Sequence, residues 1–240
     1  MNIALVLSGG IGTRLPSRLP KQYIPIGGRM MVIWTLETLY SHEEIDAVQI
    51  VAAHEWHSAI RREQELHLSP GGKFRGFSLP GENRQLSILN GLRDIVAYAG
   101  DEDVVMVQDA VRPLLEGRQI SDCLAALRGH DGVMPVLPMK DTVYYSHNGK
   151  QVSRLLERSQ IFAGQAPEFF LLGKYLRANE ALLPDRILSI NGSTEPAILA
   201  GMDIAMVPGY EGNFKVTTQG DLERCEAVLM NLFPDGERDR

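Results

Sequence analysis

The chain has 240 residues, of which 44% are apolar and 22% charged, and it carries a net charge of −6. That is enough chain to bury a sizeable core, and the acidic balance excludes an extended nucleic-acid surface while leaving room for a small basic pocket. Cys123 and Cys225 are far apart and outside any C-x-x-C spacing, which excludes a disulfide framework or zinc site and points to a reducing, cytoplasmic setting.

Residues 2–7 form an apolar run that reads as a buried strand. They are followed by LSGGIGTRLPSRLPKQYIPIGG over residues 7–28, an irregular loop because Pro16 and Pro20 interrupt any helix. A helix is expected around 30–40, with Met30, Met31 and Trp34 in the core. A strand over 47–53 and a charged helix over 55–67 come next, then a weaker strand over 74–79. Leu86, Leu89, Leu92 and Ile95 stand at helical spacing within 84–98. The pattern continues with a strand at 104–107, a helix at 118–128 and a strand at 133–137. In 141–165, the Asn148-Gly149 pair between two short alternating runs signals a β-hairpin, an arm that needs a partner surface. A helix near 171–183, a strand at 203–207 and a helix at 219–232 complete the reading, and residues 235–240 are a charged, frayed tail. Strands apolar on both faces and separated by helices predict an α/β, mostly parallel sheet covered on both sides, as one domain over 1–234. No stretch approaches a membrane span.

The glycine loop does not fit a dinucleotide site. Gly10 and Gly12 lack the third small residue of G-x-G-x-x-G, no helix starts there, and the second strand ends in Ala52-Ala53-His54 without an acid. The P-loop pattern fails as well. The loop is instead suited to a polyphosphate: glycines let backbone N–H groups close around phosphate oxygens, and Arg14 and Lys21 supply the cations. The second informative segment is VVMVQDAVRP, residues 104–113. Asp109 closes a buried strand at its carboxyl end, where open α/β sheets bind ligands, and beside a triphosphate it suggests a Mg²⁺ ligand. The plain alternatives are a helix cap or a partner for Arg112. Asp101-Glu102-Asp103 precedes its strand and reads as a solvated turn, and His54 and His57 lack a metal-binding spacing.

Six segments taken in order, SGGIGTRL, PKQYIPIGG, PGENRQLSILNGL, VQDAVRP, DTV…ERSQIFAGQAPEFF and NFKVTTQGDL, resemble the polyol-phosphate cytidylyltransferases. That family includes 2-C-methyl-D-erythritol 4-phosphate cytidylyltransferase, of isoprenoid biosynthesis, and ribitol-5-phosphate cytidylyltransferase. The resemblance implies a Rossmann-like nucleotidyltransferase (GT-A-like) sheet, Mg²⁺, CTP, a polyol phosphate and a homodimer joined through the 141–165 arms. It implies that Arg14, Lys21 and Lys215 hold the triphosphate and stabilise charge at its α-phosphorus. Ser8, Gly9, Gly10, Gly12, Gly81 and Ser87 would surround the nucleotide, and Asp109 would hold the metal. Arg112, Thr142, Arg158 and Asn191 would bind the polyol phosphate, with Thr142 and Arg158 reaching from the neighbour's arm.

The chain departs from the family pattern twice. The usual T-D-[DE]-A-S segment is Asn191-Gly192-Ser193-Thr194-Glu195, and T-P-Q is Ala166-Pro167-Glu168. Both changes fall on the acceptor side, so methylerythritol phosphate and ribitol phosphate both stand as acceptors. A non-catalytic nucleotide-binding homologue and a sugar-1-phosphate nucleotidyltransferase are the other readings. DAVRP and the arm argue against the latter.

Overall fold

The computed structural model describes residues 1–10, 19–69 and 71–232; Gly12, Arg14 and the 235–240 tail lie outside them. In chain order the elements are β1 (Asn2–Leu7), β2 (Pro25–Ile26), β3 (Arg29–Met30), α1 (Met31–Ser41), β4 (Ala47–Val51), α2 (His54–His67), β5 (Phe74–Ser78) and α3 (Arg84–Ile95). They continue with β6 (Val104–Asp109), α4 (Gly117–Ala126), β7 (Gly132–Pro138), β8 (Tyr144–Tyr145), β9 (Arg154–Leu155), β10 (Phe162–Gly164) and β11 (Glu168–Leu171). The last are α5 (Leu172–Glu180), α6 (Glu195–Leu199), β12 (Ile204–Pro208) and α7 (Gln219–Leu232).

The main sheet runs β10-β7-β11-β6-β1-β4-β5, with β12 beside β7. β5, β4, β1 and β6 are mutually parallel, and β12 is parallel to β7. Only the 162–171 run opposes them: β10 and β11 follow the same edge of β7, and β11 then wedges between β7 and β6. Alternation along the central strands divides the core. Ala4 and Val6 of β1, Val48 and Ile50 of β4 and Met106 of β6 face α1, α2 and α4. Ile3, Leu5, Ala47, Val51, Val105 and Val107 face α3 and α5. Each buried Leu, Ile or Val side chain contributes roughly 1.5–3 kcal/mol, so the two-faced burial fixes the register of these strands. α3 comes close to β1 because Gly91 sits there: a Cβ on it would lie 2.4 Å from Leu5 Cδ1. Its start is fixed by Asn83, whose side chain accepts from Leu86 N at 2.8 Å, a cap contributing about 1 kcal/mol.

Three expectations are corrected. The helix expected from 171 is preceded by the strand β11, since Phe169-Phe170-Leu171 fill the gap between two sheet strands better than they would begin a helix. The hairpin β8–β9 pairs Tyr144 with Leu155 and Tyr145 with Arg154, so its loop is wider than a two-residue Asn-Gly turn. Asn148 Oδ1 instead accepts from Lys150 N and Gln151 N, an Asx turn that opens the loop. Residues 162–164 belong to the main sheet, which shortens the arm at that end. A tight β2–β3 hairpin, unforeseen, is closed by Gly27 and Gly28 at φ 57° and 83°, the geometry a two-residue turn requires. Among the described residues no helix is long and apolar enough to cross a membrane.

Candidate active site

β1 and β6 end side by side, with Leu7 in register with Asp109, so the glycine loop and the DAVRP segment leave the sheet together. Ser8 N donates to Val51 O, and the carbonyl of Ser8 accepts from Tyr23 Oη and Gln22 Nε2, both at 2.7 Å. Gln22 Nε2 also donates to Gly10 O at 2.8 Å. The short 3-10 turn Lys21–Tyr23 thereby closes back onto the end of β1 and holds the buried Lys21 beside it. Gly9 passes under Pro80, where a Cβ would stand 2.6 Å from Pro80 Cβ. Gly81 N donates to Ser87 Oγ at 3.0 Å, and Ser87 Oγ donates to Asn83 O at 2.8 Å. Ser8, Gly9, Gly10, Lys21, Gly81 and Ser87 are thus gathered at the carboxyl ends of the strands. Of the expected nucleotide and triphosphate residues, Gly12 and Arg14 fall outside the described part.

Asp109, only 6% exposed, is the hub of the neighbouring cleft. Its Oδ1 accepts from Arg84 Nη2 at 3.1 Å, and its Oδ2 faces Lys215 Nζ at 3.1 Å and Arg112 Nε at 3.5 Å. Burial pushes the Asp109 carboxyl up, but Arg84, Lys215 and Arg112 outweigh it and hold the group well below the usual carboxylate range. The simpler reading of Asp109 as a partner for Arg112 is therefore realised too, within a larger cluster. Burial lowers the Arg112 guanidinium in spite of Asp109. For Arg84 burial is outweighed by Asp109 and Glu168, and its guanidinium is raised.

Lys215 is aimed by the segment around it. Arg112 Nη1 donates to Asn213 O, Asn213 Nδ2 donates to Gln119 Oε1 and Ala166 O at 2.8 Å each, and Val216 N donates to Val111 O at 2.9 Å. Thr217 and Thr218 then lead into α7, where Thr218 Oγ1 accepts from Asp221 N and Asp221 Oδ2 accepts from Thr218 N, a capping box.

The cleft, about 420 Å³, is lined by Arg84, Asp109, Arg112, Lys215, Glu168 and residues 191–195, among others. Asn191 is part of that lining. Thr142 and Arg158 are not: both are exposed on the arm, and Arg158 donates to Lys140 O at 2.9 Å. Glu168, 8% exposed, accepts from the hydroxyls of Ser193 and Thr194. Burial pushes its carboxyl up, and Arg84 only partly offsets that. A larger hollow, about 540 Å³, opens around Asn2, Val104 and His130, at the amino ends of β1 and β6, where sheets of this type do not place ligands.

Arg84 and Glu168 were not assigned roles from sequence. Arg84 had one signal: a cation in the first turn of a helix is unfavourable unless something else, here Asp109, compensates for it. Glu168 had a different one, its departure from the family's T-P-Q.

Lys21 at the end of β1 and Arg84, Arg112 and Lys215 in the cleft make four cations against the three carboxylates Asp109, Glu168 and Glu195, and no histidine is among the described residues that line the cleft. Clustered cations of this kind are suited to phosphate groups. With a parallel sheet presenting them at its carboxyl edge, the arrangement defines a nucleotidyltransferase. The chain belongs to the family described as IspD, 2-C-methyl-D-erythritol 4-phosphate cytidylyltransferase, whose model matches residues 2–231. It is 34% identical over 243 residues to the 2-C-methyl-D-erythritol 4-phosphate cytidylyltransferase of Rubrobacter xylanophilus, covering 98% of each chain. It is 30% identical over 239 residues to the ribitol-5-phosphate cytidylyltransferase of Lactiplantibacillus plantarum, covering 95% of this chain and 98% of that one. The chain spans 57% of the length of another curated relative, the bifunctional enzyme IspD/IspF of Granulibacter bethesdensis, at 33% identity. The solved 4-diphosphocytidyl-2C-methyl-D-erythritol synthase of Anaerococcus prevotii shares the fold with a TM-score of 0.80 at 23% identity, over 95% of this chain and 98% of that one.

Proposed function

We propose that the chain transfers a cytidylyl group from CTP to the phosphate of a polyol phosphate, with 2-C-methyl-D-erythritol 4-phosphate as acceptor and pyrophosphate as leaving group. The observation that supports this most is the buried Asp109 with Arg84, Arg112 and Lys215 around it, at the mouth of the glycine-lined strand ends. Lys215 is the one of these cations that also stands next to the segment leading to α7, so it can serve the α-phosphate while Asp109 holds its ammonium in place. Lys21, packed against the end of β1, serves the triphosphate as well, and the family resemblance assigns the same role to Arg14. Arg112 and Asn191 receive the acceptor's phosphate end and chain.

An acceptor phosphate oxygen forms a bond to the α-phosphorus as the bond to the pyrophosphate oxygen breaks. The nucleophile is a phosphate monoester, already largely dianionic at neutral pH, so no base has to remove a proton from it. The protein's task is alignment of two anions and neutralisation of charge at a crowded phosphorus. Magnesium fits as an ion carried in by the triphosphate rather than one caged by protein. Asp109 is ionised but has both oxygens engaged by cations, and among the described residues no group of three His, Cys, Asp or Glu side chains could hold a metal. With Asp109 as the neighbouring carboxylate, Mg²⁺ would supply charge neutralisation on the phosphates.

Ribitol 5-phosphate is the second acceptor, supported by relatives of that name that match nearly the full chain. The active form is a homodimer in which Thr142 and Arg158 enter the partner's cleft. Exposed Tyr144, Val152 and Leu155 on the arm support this, since each keeps more than half of its surface open to solvent in the single chain. A cytoplasmic location accords with the two free cysteines. Pyrophosphate release from CTP, measured with methylerythritol phosphate and ribitol 5-phosphate in turn, tests the reading. Turnover with one of them is expected, and silence with both while CTP still binds would overturn it.

A further inference from the structure

Glu168 opens β11 opposite Val107, two residues before Asp109, so the two acids project from adjacent strands on the same face of the sheet. Ser193 Oγ donates to Glu168 Oε2, and Thr194 Oγ1 donates to Oε1 at 2.9 Å. Each carboxylate oxygen therefore has its own hydroxyl. All three side chains are buried, at 8%, 2% and 6% exposure for Glu168, Ser193 and Thr194. The loop is pinned from two further directions. Tyr175 Oη, stacked on Phe170 with ring centroids 4.0 Å apart, donates to Ser193 O at 2.6 Å, and Asn191 N donates to Glu195 Oε2 at 2.8 Å.

A hydroxyl has one proton to give and two lone pairs to offer. With Glu168 ionised and both protons committed to it, Ser193 and Thr194 can only accept hydrogen bonds from a molecule in the cleft. Burial, with Asp109 nearby, pushes the Glu168 carboxyl up, and Arg84, the Thr194 hydroxyl and Arg112 offset that only in part, so the acceptor-only wall belongs to the ionised form of Glu168. The lining of the cleft thus combines the cations Arg84, Arg112 and Lys215 with acceptors at residues 193 and 194.

We propose that Glu168 is a specificity-determining residue of the acceptor half of the site. By taking the protons of Ser193 and Thr194 it makes that wall a hydrogen-bond acceptor, which selects a phosphate monoester bearing hydroxyl groups over a plain alkyl phosphate. The inference rests on the cytidylyltransferase reading above and adds the residue that sets acceptor choice. Glu168→Gln tests it closely. The amide keeps one accepting oxygen but replaces the other with an NH₂ that only donates, so one hydroxyl must turn its proton elsewhere and the wall becomes mixed.

The measurements are pyrophosphate release with ribitol 5-phosphate and methylerythritol phosphate, and calorimetric titration with ethyl phosphate as the hydroxyl-free probe. Glu168→Gln is expected to raise the KM for the preferred polyol phosphate about tenfold, while kcat, the KM for CTP and the affinity for ethyl phosphate stay within about threefold. Thr194→Val, which removes one of the two hydroxyls with little change of volume, is expected to move the same ratio in the same direction, and it stands alone if Glu168→Gln does not fold. An unchanged polyol-phosphate KM would overturn the assignment. So would a fall in ethyl phosphate affinity, or a rise in CTP KM, that runs parallel to the acceptor effect. If the wild-type protein releases no pyrophosphate with either polyol phosphate, the reading of the reaction itself fails and this one with it. If wild type turns over and the variants match it, only the role of Glu168 falls.

Discussion

Replacing Arg84 with methionine perturbs the site at its most informative ion pair. Arg84 Nη2 lies 3.1 Å from Asp109 Oδ1, and Asp109 is almost fully buried while the Arg84 side chain is 34% exposed. Breaking a fully buried pair costs about 3–5 kcal/mol because a charge is left uncompensated. Here Lys215 and Arg112 still face Asp109, and Arg84 is partly screened by solvent, so the loss of stability falls to about 1–2 kcal/mol. For a chain of this length that lowers Tm by a few degrees. The loss of activity should be larger. With Arg84 gone, the positive wall of the cleft is weaker and Asp109 draws Lys215 and Arg112 toward itself and away from phosphate, so kcat/KM for the polyol phosphate is expected to fall about 10²–10³-fold, the scale for one preorganised charge donor. The pH dependence has a sign as well. Asp109 is held low in the folded protein, so it stabilises the fold above its unfolded value near 3.8 and ceases to as pH falls below the folded one. Arg84→Met moves the folded value up, which shrinks that contribution and makes acid unfolding begin at higher pH. Coupled pyrophosphate release and thermal melts from pH 3 to 8 would measure both. A variant that keeps kcat/KM within about threefold, with an unshifted acid melt, would show that Arg84 is a surface cation whose contact with Asp109 does no work.

Lys215→Ala should leave the fold in place, because the segment is held by Asn213 and Val216 rather than by the ammonium, yet lower kcat by about two to three powers of ten with a small change in CTP KM; equal kcat in the two proteins would remove Lys215 from the reaction. Asp221→Ala breaks the capping box at the start of α7 and should cost about 1 kcal/mol in a chemical denaturation curve. Partial burial pushes the Asp221 carboxyl up, but the hydrogen bonds from Thr217 and Thr218 hold it at about 2. Its contribution is therefore complete above the unfolded value near 3.8 and disappears as pH falls from about 4 to about 2; wild type and variant should converge in stability at the acid end of that window, and a constant gap would contradict the cap.

Periodicity made the sheet and its helices legible because each central strand carries apolar residues on both faces, a pattern that only a sheet covered on both sides accounts for. It failed at Glu168-Phe169-Phe170-Leu171 for a reason of the same kind. Four residues are too few to display a period, and the run becomes a strand only because β6 and β7 leave a slot for it. The arm failed in detail because Asn148 has two ways to make a turn. Its side chain took over the role that a left-handed backbone would have played.

The site divides along the same line. Ser8, Gly9, Lys21, Asp109 and Arg112 stand in segments whose local chemistry is unusual for ordinary structure, glycines and cations after a strand or an acid closing one, so they could be singled out before any contact was known. Arg84 and Glu168 act through partners distant in sequence, among them Asp109 and Ser193, each 25 residues away, and no local pattern announces such a pairing. What the fold adds is that these two residues link the halves of the cleft. Arg84 and Glu168 attract one another electrostatically, Arg84 holds the acid at the end of β6, and Glu168 holds the loop at 193–194. A change in either should therefore be felt on the nucleotide side and the acceptor side unequally, Arg84 altering turnover and Glu168 altering which acceptor is turned over. That split gives a proposed functional meaning to β11, one of the two antiparallel strands of the sheet: through Glu168 it brings residues 193–194 to the strand ends where we propose that the triphosphate binds.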